Sequence, residues 1–243
     1  MKVTLLAYTP NPADIAEIGA KTCYSEKSPL EIEPTEDKKA LKRAINSGHG
    51  SVLEHAVFTF GVEGVSRALT HQLVRHRVAS FSQQSQRYVA TDETNLKGQF
   101  ILPESFATSF EAEGQNGKGF DPDGCLETSV NFFFAELEEL IKRARENGIP
   151  EEDIRYFYPN GLVTNIVITM NARELLHFFS LRCCTRAQWE IRELANSMLN
   201  ICKEVCPEIF GEAGASCAQL GYCPEDKSCG KVKTLVEIKK GAN

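Results

Sequence analysis

Alternating and β-branched apolar residues predict three strands in this chain. Residues Val57 to Val62 alternate, with both phenylalanines and the final valine on one side, as in a strand that buries one face. The short apolar run Val3 to Tyr8 predicts an opening strand. The β-branched residues of Leu162 to Met170 predict a later one.

Helix signals fall between these strands and after them. Apolar spacing, early prolines and stopping glycines predict helices at residues 12–20, 37–47, 66–77 and 125–146, after Pro150, and at 187–205. Because strands and helices mix without a regular βαβ period, we expect an α+β fold and not a doubly wound sheet. Residues 92–123 have little pattern and contain a glycine-rich run, which predicts a variable surface loop.

A further helix is predicted to begin at Asn171, a favourable N-cap residue. Glu174 stands where a second side chain would complete a capping box. The basic residues of this helix form two pairs four positions apart, each predicted to share a face: Arg173 with His177, and Arg182 with Arg186. Leucines and phenylalanines lie between them, so the helix is half core and half suited to an anion.

The composition is that of a soluble globular protein, with 42% hydrophobic and 25% charged residues among 243. No apolar run reaches the roughly 20 residues that span a bilayer, and the first residues lack the pattern of a signal peptide. We therefore expect a cytoplasmic protein without a membrane partner, in which the nine cysteines stay reduced.

The most unusual segment runs from Arg75 to Tyr88. It holds three arginines and a histidine in a chain of formal net charge −6, with uncharged serines and glutamines between them. Guanidinium groups and short hydroxyls suit a phosphate-bearing ligand. The alternative is a solvated basic turn, as most charged runs are. A nucleic-acid partner is not expected, because the isoelectric point is near 5.5.

Other common nucleotide or catalytic motifs are missing from the sequence. It has no Gly-x-Gly-x-x-Gly after a strand, no P-loop and no Gly-x-Ser-x-Gly elbow. His49, Glu54 and His55 offer metal-ligand chemistry, but the two histidines are six apart and the ligand set is incomplete. We therefore predict no metal here. The alternative is that Glu54 and His55 close a helix or pair with each other.

Several separated segments resemble the flavin-dependent thymidylate synthases, in the same order, over roughly residues 1–210. The matching segments are Gly48 to His55, Gln72 to Arg77 with the Arg-His-Arg then seven residues then Ser pattern, Ser85 to Tyr88, Asn171 to Arg173, Leu181-Arg182, and Ala187 to Ile191. Several ordered matches are far more specific than one short pattern. The resemblance implies a domain at 1–210 and a Cys-rich extension at 211–243.

This resemblance implies an α+β fold with a mixed sheet and long helices, assembled as a homotetramer with FAD bound across subunit interfaces. The implied reaction is reductive methylation of dUMP to dTMP, a methyltransferase step in nucleotide biosynthesis. Methylenetetrahydrofolate is the carbon donor and NADPH is the reductant. An alternative is a flavin-binding protein of this fold without synthase activity.

The resemblance also assigns residues. The implied dUMP contacts are Gln72, Arg75, Gln83, Ser85, Gln86, Arg87, Arg155 and Arg182. The implied FAD contacts are Cys23, Ser51, Glu54, His76, Arg77, Val78, Asn171, Arg173, His177, Leu181 and Arg186. His49 and Tyr88 fall in the folate and nicotinamide region, and Arg182, Ser85 and His49 are the implied catalytic residues. The chain departs from the family pattern at Gln83, Gln86, His177 and Arg186.

Physical chemistry agrees with these roles. A dianionic phosphate suits Arg87 and Arg155 with the Ser85 hydroxyl. A guanidinium near the flavin favours its anionic reduced form, and Arg182 is the candidate. A covalent adduct from Cys183 or Cys184 is conceivable, but buried thiols usually pack in the core.

Five cysteines lie in or near the C-terminal extension, at positions 202, 206, 217, 223 and 229. Cys202 and Cys206 are four apart and are expected to share a helical face. Four thiolates from this set could bind zinc, although no Cys-x-x-Cys pair is present. Free thiols are preferred and disulfides are least expected. The extension is predicted to be peripheral to the flavin site.

Overall fold

The computed structural model describes residues 1–115 and 126–240. Four strands and eleven α-helices lie in these ranges: β1 (Lys2–Tyr8), α1 (Pro12–Thr22), α2 (Lys39–Asn46), β2 (Val57–Ser66), α3 (Arg67–Leu73), β3 (Ala79–Gln83), α4 (Glu104–Gln115), α5 (Leu126–Glu146), α6 (Glu151–Ile154), β4 (Val163–Asn171), α7 (Ala172–Arg182), α8 (Trp189–Val205), α9 (Pro207–Phe210), α10 (Ser216–Leu220) and α11 (Leu235–Lys240). Short 3-10 helices lie at Pro29–Glu31, Gly50–His55, Lys97–Gln99 and Arg155–Phe157.

The four strands form one sheet in the order β1-β2-β4-β3. β1 runs antiparallel to β2, with Val3 opposite Val62 and Leu5 opposite Phe60. The alternating pattern of β2 buries its phenylalanines, as predicted, because successive side chains of a strand point to opposite faces. The α+β prediction is confirmed, and so are the three predicted strands. β3 lies inside the basic segment, where no strand was predicted.

Contacts divide the chain into two compact units. The first unit comprises residues 1–63, 72–82 and 166–243, and the second comprises residues 64–71 and 83–165. The predicted boundary at residue 210 separates the family-like segment from the Cys-rich extension and does not describe contacts, so it stays a prediction.

Aromatic side chains form much of the core of the first unit. Phe58 meets Phe210 edge to face, with 5.4 Å between ring centroids, and Phe179 also packs against Phe210. Phe178 packs beside Phe179, and all four rings are fully buried. Each such side chain contributes about 1.5–3 kcal/mol of hydrophobic stabilisation. This core fixes α7 firmly, and α7 carries several of the predicted site residues.

The second unit has its own core around the long helix α5. Phe134, Leu137 and Ile141 form the buried stripe of this amphipathic helix. They pack with Leu96, Ile154 and Leu162. Arg145, near the end of α5, donates hydrogen bonds to Glu151 and to the hydroxyl of Tyr158. The second unit is therefore held by both apolar packing and a polar cluster.

The prediction of a surface loop at residues 92–123 is wrong for its described part. Leu96 is fully buried in the core of the second unit, and residues 104–115 form α4. Residues 116–123 lie outside the described ranges. The sequence pattern did not mark Leu96 as a core residue, because it is a single apolar residue without helical periodicity around it.

Two predicted helical details are also corrected. α3 ends at Leu73, so Arg75 to Arg77 follow the helix and are not part of it. α7 ends at Arg182, so Arg182 and Arg186 do not share a helical face. No helix in the described ranges is long and apolar enough to cross a membrane.

Candidate active site

The Arg-His-Arg segment is a turn that follows α3 in the first unit. The backbone N–H groups of Arg75 and His76 donate to the carbonyls of Gln72 and Leu73, which ends the helix. Arg75 and Arg77 are exposed, whereas His76 is only 5% exposed. The turn therefore presents two guanidinium groups outward and directs the imidazole into the interior. Val78, which follows, is also exposed.

His76 is hydrogen bonded through both ring nitrogens. Its Nδ1 lies 3.0 Å from Oε1 of Glu174, and its Nε2 lies 3.2 Å from Nε of Arg182. Arginine only donates hydrogen bonds, so Nε2 must be the acceptor and the ring proton must be on Nδ1. Burial lowers the pKa of His76, with the charges of Arg182 and His177 adding to the effect and Glu174 opposing it. The imidazole is therefore neutral near pH 7.

Glu174 was predicted to complete a capping box, and the structure gives its side chain another partner. Asn171 does cap α7, because its Oδ1 accepts a hydrogen bond of 2.9 Å from the N–H of Glu174. The carboxylate of Glu174 contacts His76 instead and is almost completely buried. Sequence reasoning missed this residue as part of the site because the motif explained it locally.

Two predicted FAD residues contact each other. Nη1 of Arg173 lies 2.6 Å from Oε1 of Glu54, and both side chains are about half exposed. Gly50 allows this approach, since a Cβ at that position would lie 3.2 Å from Nε of Arg173. Glu54 and His55 are the last residues of the 3-10 helix, so the alternative that they close a helix is confirmed, whereas the partner of the Glu54 carboxylate is Arg173 and not His55. Ser51 is exposed on the same 3-10 helix.

A cavity of about 1100 Å³ lies in the first unit beside this helix. Its wall includes Cys23 and Ser51, which are predicted FAD contacts, and His49, which is predicted for the folate region. Lys21, Lys27 and Arg43 also line it. Exposed hydrogen-bonding groups, basic side chains and this volume fit part of a phosphate-containing dinucleotide such as FAD. Exposed His177 and Leu181 on α7 offer further contact surface.

The second unit holds the exit of the basic segment. Oγ of Ser85 accepts a hydrogen bond from the N–H of Arg87, and the Ser85 carbonyl accepts from Tyr88 and Val89. Nη2 of Arg87 lies 2.8 Å from Oε2 of Glu152. Nε of Arg155 donates to the backbone carbonyl of Glu152. One residue of α6 thus holds both guanidinium groups that were predicted to bind phosphate.

Arg67 belongs to the same cationic group and was not singled out from the sequence. Burial and the charge of Arg155 both lower the pKa of Arg67. Its Nη2 donates to the carbonyl of Gln84, but within the described residues its buried Nε has no hydrogen-bond partner. Like charges held close together favour the binding of an anion, because a bound anion relieves their repulsion. This electrostatic neighbour is visible only in the fold.

The remaining predicted residues of the second unit, Gln83, Gln86 and Tyr88, differ in their exposure and in their contacts. Nε2 of Gln83 donates to the hydroxyls of Thr70 and, more weakly, Thr164. Gln86 is half-buried, and Tyr88 is 81% exposed. The guanidinium of Arg87 lies 5.5 Å from the centroid of the Tyr88 ring. The amide nitrogen of Gln83 is thus committed to protein contacts, which leaves its oxygen as the group to meet a ligand.

Part of the C-terminal extension lies beside predicted site residues. A cavity of about 260 Å³ is lined by Arg182 and Arg186 together with Cys217, Cys223 and Cys229. Nη1 of Arg186 lies 2.9 Å from Oε2 of Glu225, and Ser216 donates to the carbonyl of Ser180. The extension thus contacts two residues that are predicted to bind ligands, and the prediction that it is peripheral to the flavin site stays a prediction.

The described cysteines have free thiols. In the described ranges no three His, Cys, Asp or Glu side chains form a group suited to a metal ion. Burial raises the pKa of Cys183 to about 11. A protonated thiol is a poor nucleophile, which argues against a covalent adduct from Cys183. Cys202 and Cys206 are both buried, and Cys206 is the C-cap residue of α8, with its N–H donating to the carbonyl of Cys202. The two thiols are neighbours, as expected, because Cys206 adds to the effect of burial in raising the pKa of Cys202.

Comparisons with known proteins agree over nearly the whole chain. A family model described as thymidylate synthase complementing protein matches residues 4–208. The flavin-dependent thymidylate synthases of Clostridium tetani and Pyrococcus abyssi are 44% and 43% identical to the chain, and the matches cover 98% and 93% of it and 96% and 90% of those proteins. A crystal structure of flavin dependent thymidylate synthase ThyX from Helicobacter pylori, complexed with FAD and dUMP, is similar with a TM-score of 0.63. It is 25% identical, and the match covers 88% of this chain and 100% of that one.

Proposed function

The chain belongs to the flavin-dependent thymidylate synthase family, and from this membership we infer that it methylates dUMP reductively to dTMP. The resemblance noted in the sequence is confirmed. FAD is the cofactor, methylenetetrahydrofolate is the carbon donor and NADPH is the reductant. Bound FAD supplies the redox chemistry that amino-acid side chains lack, and the protein supplies binding and orientation.

The phosphate of dUMP is assigned to the cationic group of the second unit. The observation that carries this assignment is that Glu152 holds Arg87 through its carboxylate and Arg155 through its carbonyl. Arg67 adds a third guanidinium whose charge acts on Arg155. A phosphate has two negative charges and more acceptor oxygens than a carboxylate, so it suits several guanidinium groups better. In this proposal the phosphate replaces Glu152 as the partner of Arg87. Gln83 and Gln86 complete this half of the dUMP site.

Ser85 positions dUMP and is not the nucleophile in this proposal. Its oxygen already accepts the N–H of Arg87, so its O–H is available to donate to phosphate or pyrimidine. An unactivated serine hydroxyl is a weak nucleophile. In the first unit, Gln72, Arg75 and Arg182 are the predicted dUMP contacts. Arg182 is the residue proposed to interact with both the uracil edge and the flavin.

FAD is assigned to residues of the first unit. The supporting observations are the cavity lined by Cys23 and Ser51, and the Glu54–Arg173 pair, in which Glu54 is on the same 3-10 helix as Ser51. The other proposed FAD contacts are His76, Arg77, Val78, Asn171, His177, Leu181 and Arg186. His49 lines the same cavity and is proposed, with exposed Tyr88, for the folate and nicotinamide region.

A homotetramer completes the proposal, with each FAD bound by several subunits. Apolar side chains on the surface of the second unit support self-association, since Phe132 and Phe133 on α5 are 65% and 50% exposed, and Tyr156 is 80% exposed. Aromatic residues of this kind are enriched at protein interfaces. We place the enzyme in the cytoplasm, with neither nucleic acid nor membrane as a partner.

The proposal is tested first by the absorption spectrum of the purified protein and then by turnover. We expect a flavin band with about one FAD per chain at saturation, and formation of dTMP from dUMP that requires methylenetetrahydrofolate and NADPH. A protein that binds no added FAD would contradict the cofactor assignment. A yellow protein that binds dUMP but forms no dTMP under these conditions would be a flavoprotein without synthase activity.

A further inference from the structure

We propose that Glu174 is a positioning residue that acts through His76 to orient Arg182. The three side chains form a chain of hydrogen bonds within the first unit: Glu174 Oε1 accepts from His76 Nδ1, and His76 Nε2 accepts from Arg182 Nε. Neither Glu174 nor this chain of contacts follows from the motifs that assign Arg182. The inference rests on the proposed role of Arg182 toward dUMP and flavin.

His76 and Glu174 are buried, so each needs the other as a hydrogen-bond partner. The side chain of His76 is 4% exposed and that of Glu174 is 9% exposed, so water cannot easily replace either partner. His76 is also fixed by packing, because its ring meets Phe178 edge to face at 5.0 Å between centroids. A buried polar group without its partner costs far more than a surface group does. The imidazole is therefore held in one place and in one tautomer.

The tautomer determines what Arg182 meets. With its proton on Nδ1, His76 offers a lone pair to Nε–H of Arg182, and this bond fixes the orientation of the planar guanidinium. If the proton moved to Nε2, two N–H groups would point at each other and the contact would become repulsive. Glu174 prevents that exchange, since a carboxylate accepts a hydrogen bond and cannot donate one. Its effect on Arg182 is thus carried by the ring.

Protonation of His76 would break the same contact. An imidazolium has N–H groups at both positions and a positive charge that faces Arg182. The titratable groups that face the ring are Glu174, Arg182 and His177, all on or at the end of α7. The Glu174 carboxylate favours the imidazolium, whereas burial and the other two groups favour the neutral ring. Arg182 is therefore correctly held only while His76 stays neutral.

Two substitutions separate this role from simple structural support. Glu174→Gln keeps an oxygen that accepts the Nδ1 proton but removes the charge, whereas Glu174→Ala removes the acceptor. We expect Glu174→Ala to lower kcat/KM for dUMP by about tenfold to hundredfold, because small misplacements of a catalytic group have costs of this size. Glu174→Gln should stay within about threefold, since it rescues the acceptor. Exposed Glu193 on α8 provides the control substitution Glu193→Ala, which should leave kcat/KM unchanged.

The acid limb of the pH–rate profile gives a readout that a structural role would not move. Removing the Glu174 charge removes a contribution that raises the pKa of His76. In Glu174→Gln the acid limb should therefore shift to lower pH than in the unsubstituted enzyme. An unshifted limb in Glu174→Gln would mean that His76 does not control Arg182 through its protonation state.

The tautomer itself is measurable without turnover. Imidazole ¹⁵N NMR of the full-length protein, with the His76 signal assigned by its loss in His76→Gln, should show protonated Nδ1 and unprotonated Nε2. Glu174→Gln should keep this state, and Glu174→Ala should lose it. A wild-type ring protonated on Nε2, or an unchanged ring in Glu174→Ala, would overturn the proposal. Loss of synthase activity in every protein, with the tautomers as expected, would instead contradict the proposed function of the site.

Discussion

Arg182 donates a hydrogen bond from Nε to Nε2 of His76, across 3.2 Å and a separation of 106 residues in the sequence. This contact joins the end of α7 to the Arg-His-Arg turn, two segments that resemble the family separately. It uses the Nε–H of the guanidinium, and the same residue lines the cavity of about 260 Å³ beside α7. The orientation of Arg182 is thus a property of the folded first unit.

Substitution of Arg182 should be far more damaging than substitution of Ser85. We expect Arg182→Ala to abolish dTMP formation, because it removes a group proposed to meet both uracil and flavin. Ser85→Ala should weaken turnover by about tenfold, the usual effect of losing one hydrogen bond to a charged group. Steady-state kinetics with saturating FAD would measure both. Complete loss of turnover in Ser85→Ala with unchanged dUMP binding, or a covalent Ser85–uracil adduct, would contradict the assignment.

The phosphate assignment predicts a charge-specific loss of dUMP affinity. Arg87→Ala and Arg155→Ala should each weaken dUMP binding by about tenfold to hundredfold, with a smaller loss for deoxyuridine, which has no phosphate. Arg143→Ala is the matched control, since Arg143 is an exposed arginine of the same unit that pairs with Glu139. Isothermal titration calorimetry would measure these affinities. Equal losses for nucleotide and nucleoside would place the phosphate elsewhere.

Titration of His76 should make the stability of the folded protein depend on pH. Its folded pKa is below the ordinary value of about 6.5, chiefly because of burial. As the pH drops below about 6.5, the unfolded chain therefore binds a proton at His76 more readily than the folded protein does. The free energy of unfolding falls as the pH drops toward the folded pKa. The Tm of the unsubstituted protein should fall more steeply than that of His76→Gln between about pH 7 and pH 5. Parallel calorimetric curves for the two proteins would contradict this.

The C-terminal extension should affect ligand binding. A chain that ends at Phe210 lacks Glu225 and three of the cysteines that line the cavity with Arg182 and Arg186, namely Cys217, Cys223 and Cys229. We expect it to bind FAD more weakly by about tenfold or more, because the cavity loses one wall. A chain that ends at Val236 keeps every residue of that wall and is the control. Fluorescence titration of FAD would distinguish them, and equal affinity would restore the view that the extension is peripheral.

Surface aromatic residues should control assembly. Replacement of both Phe132 and Phe133 by serine removes exposed apolar surface from α5 and should lower the oligomeric state. Leu30→Ser removes a side chain that is 97% exposed in the first unit and is the control. Light scattering should show a tetramer for the control and smaller species for the double variant. A monomeric wild-type protein with full FAD occupancy would refute the tetramer itself.

Sequence patterns alone predicted the structural role of a residue correctly wherever that role depends on its near neighbours in the chain. The alternation of β2 predicted its buried face, because strand geometry alone sends successive side chains to opposite sides. The N-cap of α7 was predicted at Asn171, since a cap needs only backbone groups within three residues. The ordered motifs were also sufficient to identify the family.

Contacts over long sequence separations were decided only by the tertiary structure. The partner of Glu174 is His76, 98 residues away, although the local motif assigned that carboxylate to its own helix end. Leu96 was expected in a loop and is buried, because α5 supplies the apolar surface that covers it. Arg67 gained its role from the charge of Arg155. Sequence periodicity records the face a residue presents, but electrostatic and packing energies depend on distance in space, which only the fold determines.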